Sequence, residues 1–401
     1  MDTGKSKFRN IKRAVSLVIL CAAIFSLCAA TGSCGANRGG NTAMSLTYGK
    51  NTTKFSSNIY SYYLSYQKTM ALYSIYTMYK SAGYEMPDNP ADIDNAEWWT
   101  NPYAVDGMPE IRNYGDYVKK QADDTVKRML AMVAFCKENK LELSKEDLKN
   151  VDSGMNKILE NYKRSKSKLN TVLLRFNLNY DILKEIKKYE ALAGLMGKYL
   201  FDSNTGKRKI TDDMINGVYQ QECVRIKHIL IPYPAKTYDV NGDLEPYSDE
   251  AMAEMQAKID DIYGRATGGE DFDNLFSDYE DVMGAEGYTV NAQTAFMPRE
   301  VIKTALEIKI GDVRKIESDY GVHIIKKYML LPADQSIEID ESQSRGTAVT
   351  WASTTTKLIQ AYITNEELKP YIEKIEVNMA ETNLFETMTS EMMFDCFEIT
   401  Q

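Results

Sequence analysis

Residues Arg225 to Pro234 read RIKHILIPYP, a β-branched and aliphatic run closed by two prolines. Such a run, short and bounded by helix breakers, predicts a strand rather than a helix. It holds His228, one of only two histidines in 401 residues, and the other, His323, lies in a run of nearly the same pattern, DYGVHIIKKY, from Asp319 to Tyr328. Between the two, periodic segments predict helices over Asp249–Gly264, Glu270–Tyr279 and Pro298–Ile308, with a loop before the last. Strands are expected around Val313 and Ile324. Strand, helices and two closing strands make a compact α+β unit.

Outward from this unit the pattern is helical. From Asn58 to Ile215 apolar residues recur every three or four positions, as in Val118, Ala122, Val126, Met129, Val133 and Cys136, which is the stripe an amphipathic helix needs. Ser144 is the expected N-cap of a helix over Leu141–Glu160, and another stripe runs from Asp181 to Leu200. The stretch Tyr60–Tyr79 is dense in Tyr and Met; it reads as core or as an adaptable peptide-binding surface. At Ser203 the chain turns polar, and ITDDMINGVY then predicts a short capped helix leading into the first strand. After Leu331 comes the polar linker PADQSIEIDESQSRG, followed by a helical pattern over Thr354–Ile375. The fold class expected is therefore α+β: a small antiparallel sheet flanked by helices, inserted in a largely α-helical body.

The first residues belong to targeting. Lys5, Lys7, Arg9, Lys12 and Arg13 precede the apolar run Ala14–Ala30 and the small residues Thr31, Gly32 and Ser33, the layout of an export signal over 1–33. An uncleaved membrane anchor is the alternative, although the run falls short of the roughly 20 residues that span a bilayer comfortably. ATGSCG around Cys34 is similar to a bacterial lipobox, with Thr31 where Leu is usual, and two acyl chains on Cys34 would give stable anchoring where one would not. Residues 34–57 read as a flexible tether. The remaining cysteines, Cys136, Cys223 and Cys396, have no metal-ligand spacing and read as core thiols, with one disulfide left open. No cofactor and no metal are expected. With 57 acidic residues against 48 basic ones, no basic face is available for phosphates, which argues against nucleic acid as a partner. DVNGD (Asp239–Asp243) has its glycine misplaced for a calcium loop. The glycines of TGGED are followed by carboxylates that would repel a phosphate.

RIKHILIPYP, then GGEDFDNLFSDYEDVMGAEGYTV, then IKIGDVRKIESDYGVHIIKKY resembles, in order and spacing, a parvulin-type peptidyl-prolyl isomerase domain over 221–331. The flanking layout is similar to PrsA-like and SurA-like foldases of the bacterial envelope. The resemblance implies a helical chaperone domain over 58–220 and a C-terminal segment, 332–401, packing on it. It also implies that His228 and His323 face each other beneath a proline site. The catalytic Cys or Asp of active parvulins falls at Tyr279 by direct count and at Asp281 with a one-residue gap. Met297, Val301, Phe296 and Tyr288 are the implied substrate-binding residues, Val301 standing where the family has an aromatic ring.

Two functions follow. One is an exported, lipid-anchored foldase on the outer face of the bacterial cytoplasmic membrane, which isomerises X-Pro bonds in newly exported polypeptides. The other is a non-catalytic holding chaperone with a degenerate parvulin domain. Pairing of two helical bodies into a homodimer is left open.

Overall fold

A computed structural model describes residues 40–81, 85–87, 99–105, 107–235, 246–278, 286–294, 296–338 and 349–385. Cys34, Cys396, Tyr279, Asp281 and the DVNGD turn lie outside the described residues. The chain divides into two compact units, one of residues 1–209 with 361–401, the other of 210–360.

The first unit opens with β1 (Thr42–Tyr48) and β2 (Asn51–Ser56), an antiparallel hairpin turning at Gly49 and Lys50, with Gly49 at φ +59°. This corrects the expectation of a tether through residue 57. Met44, Leu46 and Tyr48 alternate with polar residues, the period of a half-buried strand, and Met44 and Leu46 are buried. Helix α1 (Ser57–Ser81) follows without a break, then α2 (Tyr114–Glu138), α3 (Lys145–Asn161), α4 (Lys166–Leu173) and α5 (Tyr180–Phe201). Ser144 caps α3 as expected, accepting from the Asp147 backbone N–H while the Asp147 carboxylate accepts from the Ser144 N–H, a reciprocal capping box.

The Tyr-rich stripe of α1 is core. Tyr60, Tyr62, Tyr63, Leu64, Leu72 and Tyr76 are buried together with the α2 stripe and with Leu183 and Ile186 of α5. Tyr60 donates to Asp123 at 2.7 Å, so its hydroxyl enters the interior with a partner. Cys136 is fully buried; with no solvent to stabilise a thiolate, burial pushes its pKa up to about 12.

In the second unit, α6 (Asp212–Glu222), capped by Thr211, runs into β3 (Cys223–Pro232). Next come α7 (Asp249–Thr267), α8 (Phe272–Asp278), β4 (Tyr288–Asn291), α9 (Arg299–Glu307), β5 (Val313–Ser318) and β6 (Gly321–Tyr328). The sheet order is β4-β3-β6-β5, antiparallel throughout. Strand β4 falls in what the sequence presents as loop; four residues between turns give too short a pattern to read. Within the expected polar linker, β7 (Ile337–Glu338) pairs antiparallel with β8 (Val349–Thr350), which lies beyond it.

Helix α10 (Trp351–Ile372) spans the division between the units; in the first unit its Leu368 and Tyr371 join the helical core. There β9 (Ile375–Val377) pairs with β1, and the short α11 (Met379–Thr382) follows. Cys136 and Cys223 are both buried. Among the described residues no helix is long and apolar enough to cross a membrane, and no cluster of three or more His, Cys, Asp or Glu could hold a metal ion.

Candidate active site

Side chains alternate across a strand, so parity along β3 and β6 sorts the sheet into two faces. The back face presents Ile229, Ile231, Val322 and Ile324 to Met255, Ile259 and Ile262 of α7 and Phe272, Leu275 and Phe276 of α8. On the front face, Ile226, Tyr288, Val290 and Ile325 meet Val301, Ile302 and Ala305 of α9. His228 and His323 also stand on the front.

Register brings the two histidines together. His228 pairs with Ile325 and His323 with Leu230 across the β3–β6 ladder, so the imidazoles are diagonal neighbours on one face, within reach of each other. His228 Nε2 and His323 Nδ1 share a hydrogen bond of 2.7 Å, and the ring centroids are 4.9 Å apart at 21°. Ser318 Oγ lies 2.6 Å from His323 Nε2 and accepts the Tyr320 backbone N–H at 3.1 Å. The result is a chain of three groups.

A neutral imidazole donates with one nitrogen and accepts with the other. The chain therefore has two polarities. In one, Ser318 donates to His323, which donates to His228; in the other every proton is reversed. Either direction satisfies both nitrogens of a neutral His323. It is 2% exposed, and burial lowers its pKa below the usual histidine value, a nearby Glu300 carboxylate opposing only in part. Burial thus favours the neutral form of His323, and the three groups form an organised polar network in an apolar wall.

Two features fix this geometry. Gly321 adopts φ +142°, and a Cβ there would stand 2.2 Å from the Ile231 carbonyl oxygen; glycine alone permits the β5–β6 turn to close against β3. On the back face, Lys227, next to His228, is 6% exposed. Its ammonium reaches Asp273 of α8 at 3.0 Å and lies 5.4 Å from the Phe276 ring centroid and 5.5 Å from that of Tyr328. Tyr328 also donates to Asp273. Burial pulls the Asp273 pKa upward, and the hydrogen bonds from Tyr328 and Lys227 more than offset it, leaving it below the usual carboxylate range. This ion pair and the Tyr328 hydrogen bond together staple α8 to the two strands that carry the imidazoles.

Of the sequence-predicted residues, His228 and His323 meet, and Met297, Val301, Tyr288 and Phe296 gather in the apolar cluster under α9. Tyr288 and Phe296 have ring centroids 5.8 Å apart. Val301 is fully buried, so it backs the cluster without offering surface; Phe296 is the most open of the four. Sequence reading missed Ser318. The signal was present in ESDYGVH: a two-residue turn after Ser318 sets it opposite Gly321, and hence on the face of the imidazole two residues further on.

Residues 213–328 match the family described as PPIC-type PPIASE domain. No curated protein matches the chain. Among solved structures it is similar to PrsA from Bacillus subtilis, at 20% identity over 69% of this chain and 94% of that one, with a TM-score of 0.21. The foldase protein PrsA from Streptococcus pneumoniae shares 17% identity over 71% of this chain and 98% of that one, with a TM-score of 0.20. Peptidylprolyl isomerase (PrsA) from Bacillus anthracis shares 20% over 64% of this chain and all of its own, with a TM-score of 0.25. At such scores these likenesses carry no argument, and the assignment rests on the domain match.

Proposed function

Residues 213–328 being a PPIC-type peptidyl-prolyl isomerase domain, we propose that the chain is an exported foldase whose front-face imidazole chain serves X-Pro rotation in newly exported polypeptides. The supporting observation is the 2.7 Å contact between His228 and His323 at the edge of an apolar cluster, inside the segment that matches the family.

Rotation about an X-Pro amide forms and breaks no covalent bond. Its barrier, about 18–20 kcal/mol, is the loss of amide resonance. A catalyst must therefore hold the twisted amide better than either planar form. In the twisted state the nitrogen recovers its lone pair and the carbonyl changes its direction and charge. A site with few waters and with fixed hydrogen-bonding groups meets that need without reorganising. His228, His323 and Ser318 are such a set. Their role is to orient one another and keep the site neutral, with no proton transferred to the substrate. Tyr279 or Asp281 would add a polar group beside the amide, and Phe296 with Met297 would hold the pyrrolidine ring.

Around this domain, the signal over 1–33 and Cys34 support an extracytoplasmic protein held to the cytoplasmic membrane by lipid. Mass spectrometry of the mature N-terminus tests this; an unacylated Cys34, or an intact signal, overturns the anchor. The isomerase reading is tested by exchange NMR on short X-Pro peptides with the full mature chain. Exchange no faster than in buffer for every residue tried before proline would falsify it.

A further inference from the structure

Within the β3 run Ile226–Ile231 every residue is buried except one. Leu230 is 40% exposed, on a strand that β4 pairs only as far as Ile226, and directly across from His323 of β6, which is almost wholly buried. An aliphatic side chain left open on a sheet face costs apolar burial that any covering residue would recover. The cause is the extent of α9. Its apolar residues cover the half of the front face around Ile226, Tyr288 and Ile325, and Leu230 joins none of the buried clusters.

Beyond the residues packed on α9, register places Leu230 and Pro232 on β3, His323 and Gly321 on β6, and Ser318 on β5; Leu230 and Pro232 are the exposed ones, beside the buried His323. All five are uncharged. The basic strand residues of the front face, Arg314 and Lys327, stand toward the other end and are committed. Arg314 bonds the Val313 carbonyl and Asp312, and Lys327 bonds the carbonyls of Leu306 and Ile308. The charge that bears on His323 is negative, that of Glu300.

We propose that Leu230 is a specificity-determining residue of the isomerase site: beside His323 it receives an apolar side chain adjacent to the substrate proline, and the surface around it disfavours charged side chains, acidic ones most. The inference rests on the isomerase reading above. A substrate proline must lie against the imidazole chain to be acted on. Directly opposite residues of an antiparallel pair have Cβ atoms about 5 Å apart, so a side chain flanking that proline comes within contact range of Leu230. An apolar flank buries its surface there together with Leu230's own. A charged flank loses water against uncharged strand residues, and a carboxylate also meets the field of Glu300.

The test is exchange NMR with the full mature chain on Ala-Xaa-Pro-Ala and Ala-Pro-Xaa-Ala peptides, Xaa being Leu, Lys or Glu. In at least one series kcat/KM is expected to fall in the order Leu, Lys, Glu, with about tenfold between the extremes, the scale of discrimination an apolar contact supplies. In Leu230→Lys the glutamate peptide should rise and the leucine peptide fall; in Leu230→Glu the lysine peptide should gain instead. A purely structural role would not make the preferred charge follow the substituent. Leucine and glutamate peptides within about twofold of each other in both series, or a ratio unchanged in Leu230→Lys, would overturn the proposal. If the native chain accelerates no peptide, the isomerase reading itself fails. Methyl chemical shifts of Leu230 then decide the subsite, which stands if the leucine peptide moves them and the glutamate peptide does not, and falls otherwise.

Discussion

The two faces of the four-stranded sheet are made from the same strands and solve opposite problems. The back face is closed by α7 and α8, and it buries a charge, Lys227, by giving it a carboxylate and two aromatic rings. The front face is closed only in part, and at the edge of the covered part it buries two ionisable rings by bonding them to each other. Both are answers to the cost of desolvating a polar group. The back answer rigidifies; the front answer leaves a polar network beside open apolar surface, where a ligand can reach.

The largest effects should separate the faces by stability. Ile324→Ala, on the closed back face, should cost about 3 kcal/mol, while Leu230→Ala on the open front should cost under about 1 kcal/mol. Thermal or denaturant unfolding measures both, and equal losses would mean the front is closed as well. Next is function. His323→Ala should lower kcat/KM for X-Pro exchange about a hundredfold, equivalent to roughly 2.7 kcal/mol, with little change in the fold seen by circular dichroism. Activity within twofold of native would remove the imidazole chain from the mechanism.

A smaller loss is expected at the staple. Lys227→Met should destabilise the protein by about 1–3 kcal/mol, below the full value for a buried pair because Asp273 is half-exposed. Asp273→Asn alone would leave the ammonium without its anion and should cost a similar amount, and a double-mutant cycle would show strong coupling.

The smallest effect is in pH. His323 in the folded protein binds its proton less readily than in the unfolded chain, so stability is fully present above about pH 6.5, the unfolded value, and falls as pH drops toward the folded one. Asp273 acts lower, its contribution being present above about pH 4 and lost in stronger acid. Unfolding midpoints taken from pH 8 to 5 should therefore stay level and then decline below about 6.5, and His323→Ala should flatten that decline. Exchange activity should follow the same course, because protonation of His323 turns an acceptor into a donor and puts a charge in the site.

Much of this was legible in the residues themselves. The strand pattern of RIKHILIPYP, the capping box at Ser144, the helical stripes and the order of elements between the histidines all follow from local chemistry: periodicity, capping and turn residues act over a few positions. The hairpin β1–β2 was also written in the alternation of Met44, Leu46 and Tyr48, but its neighbours, glycine-rich and polar, masked it. Strand β4 was not legible, since four residues acquire strand geometry only by pairing with β3.

By itself the sequence determined the main helices and the strands around the two histidines, and that the site is assembled without charge-bearing motifs. Only the tertiary structure decided that the imidazoles share one face, that Ser318 completes their chain, that Val301 is wholly enclosed, and that Leu230 is left uncovered. The reason is physical: a strand's own pattern fixes the alternation of its side chains. Which residues then meet, and which face is covered, depends on register across strands and on how far a helix from elsewhere in the chain reaches over them.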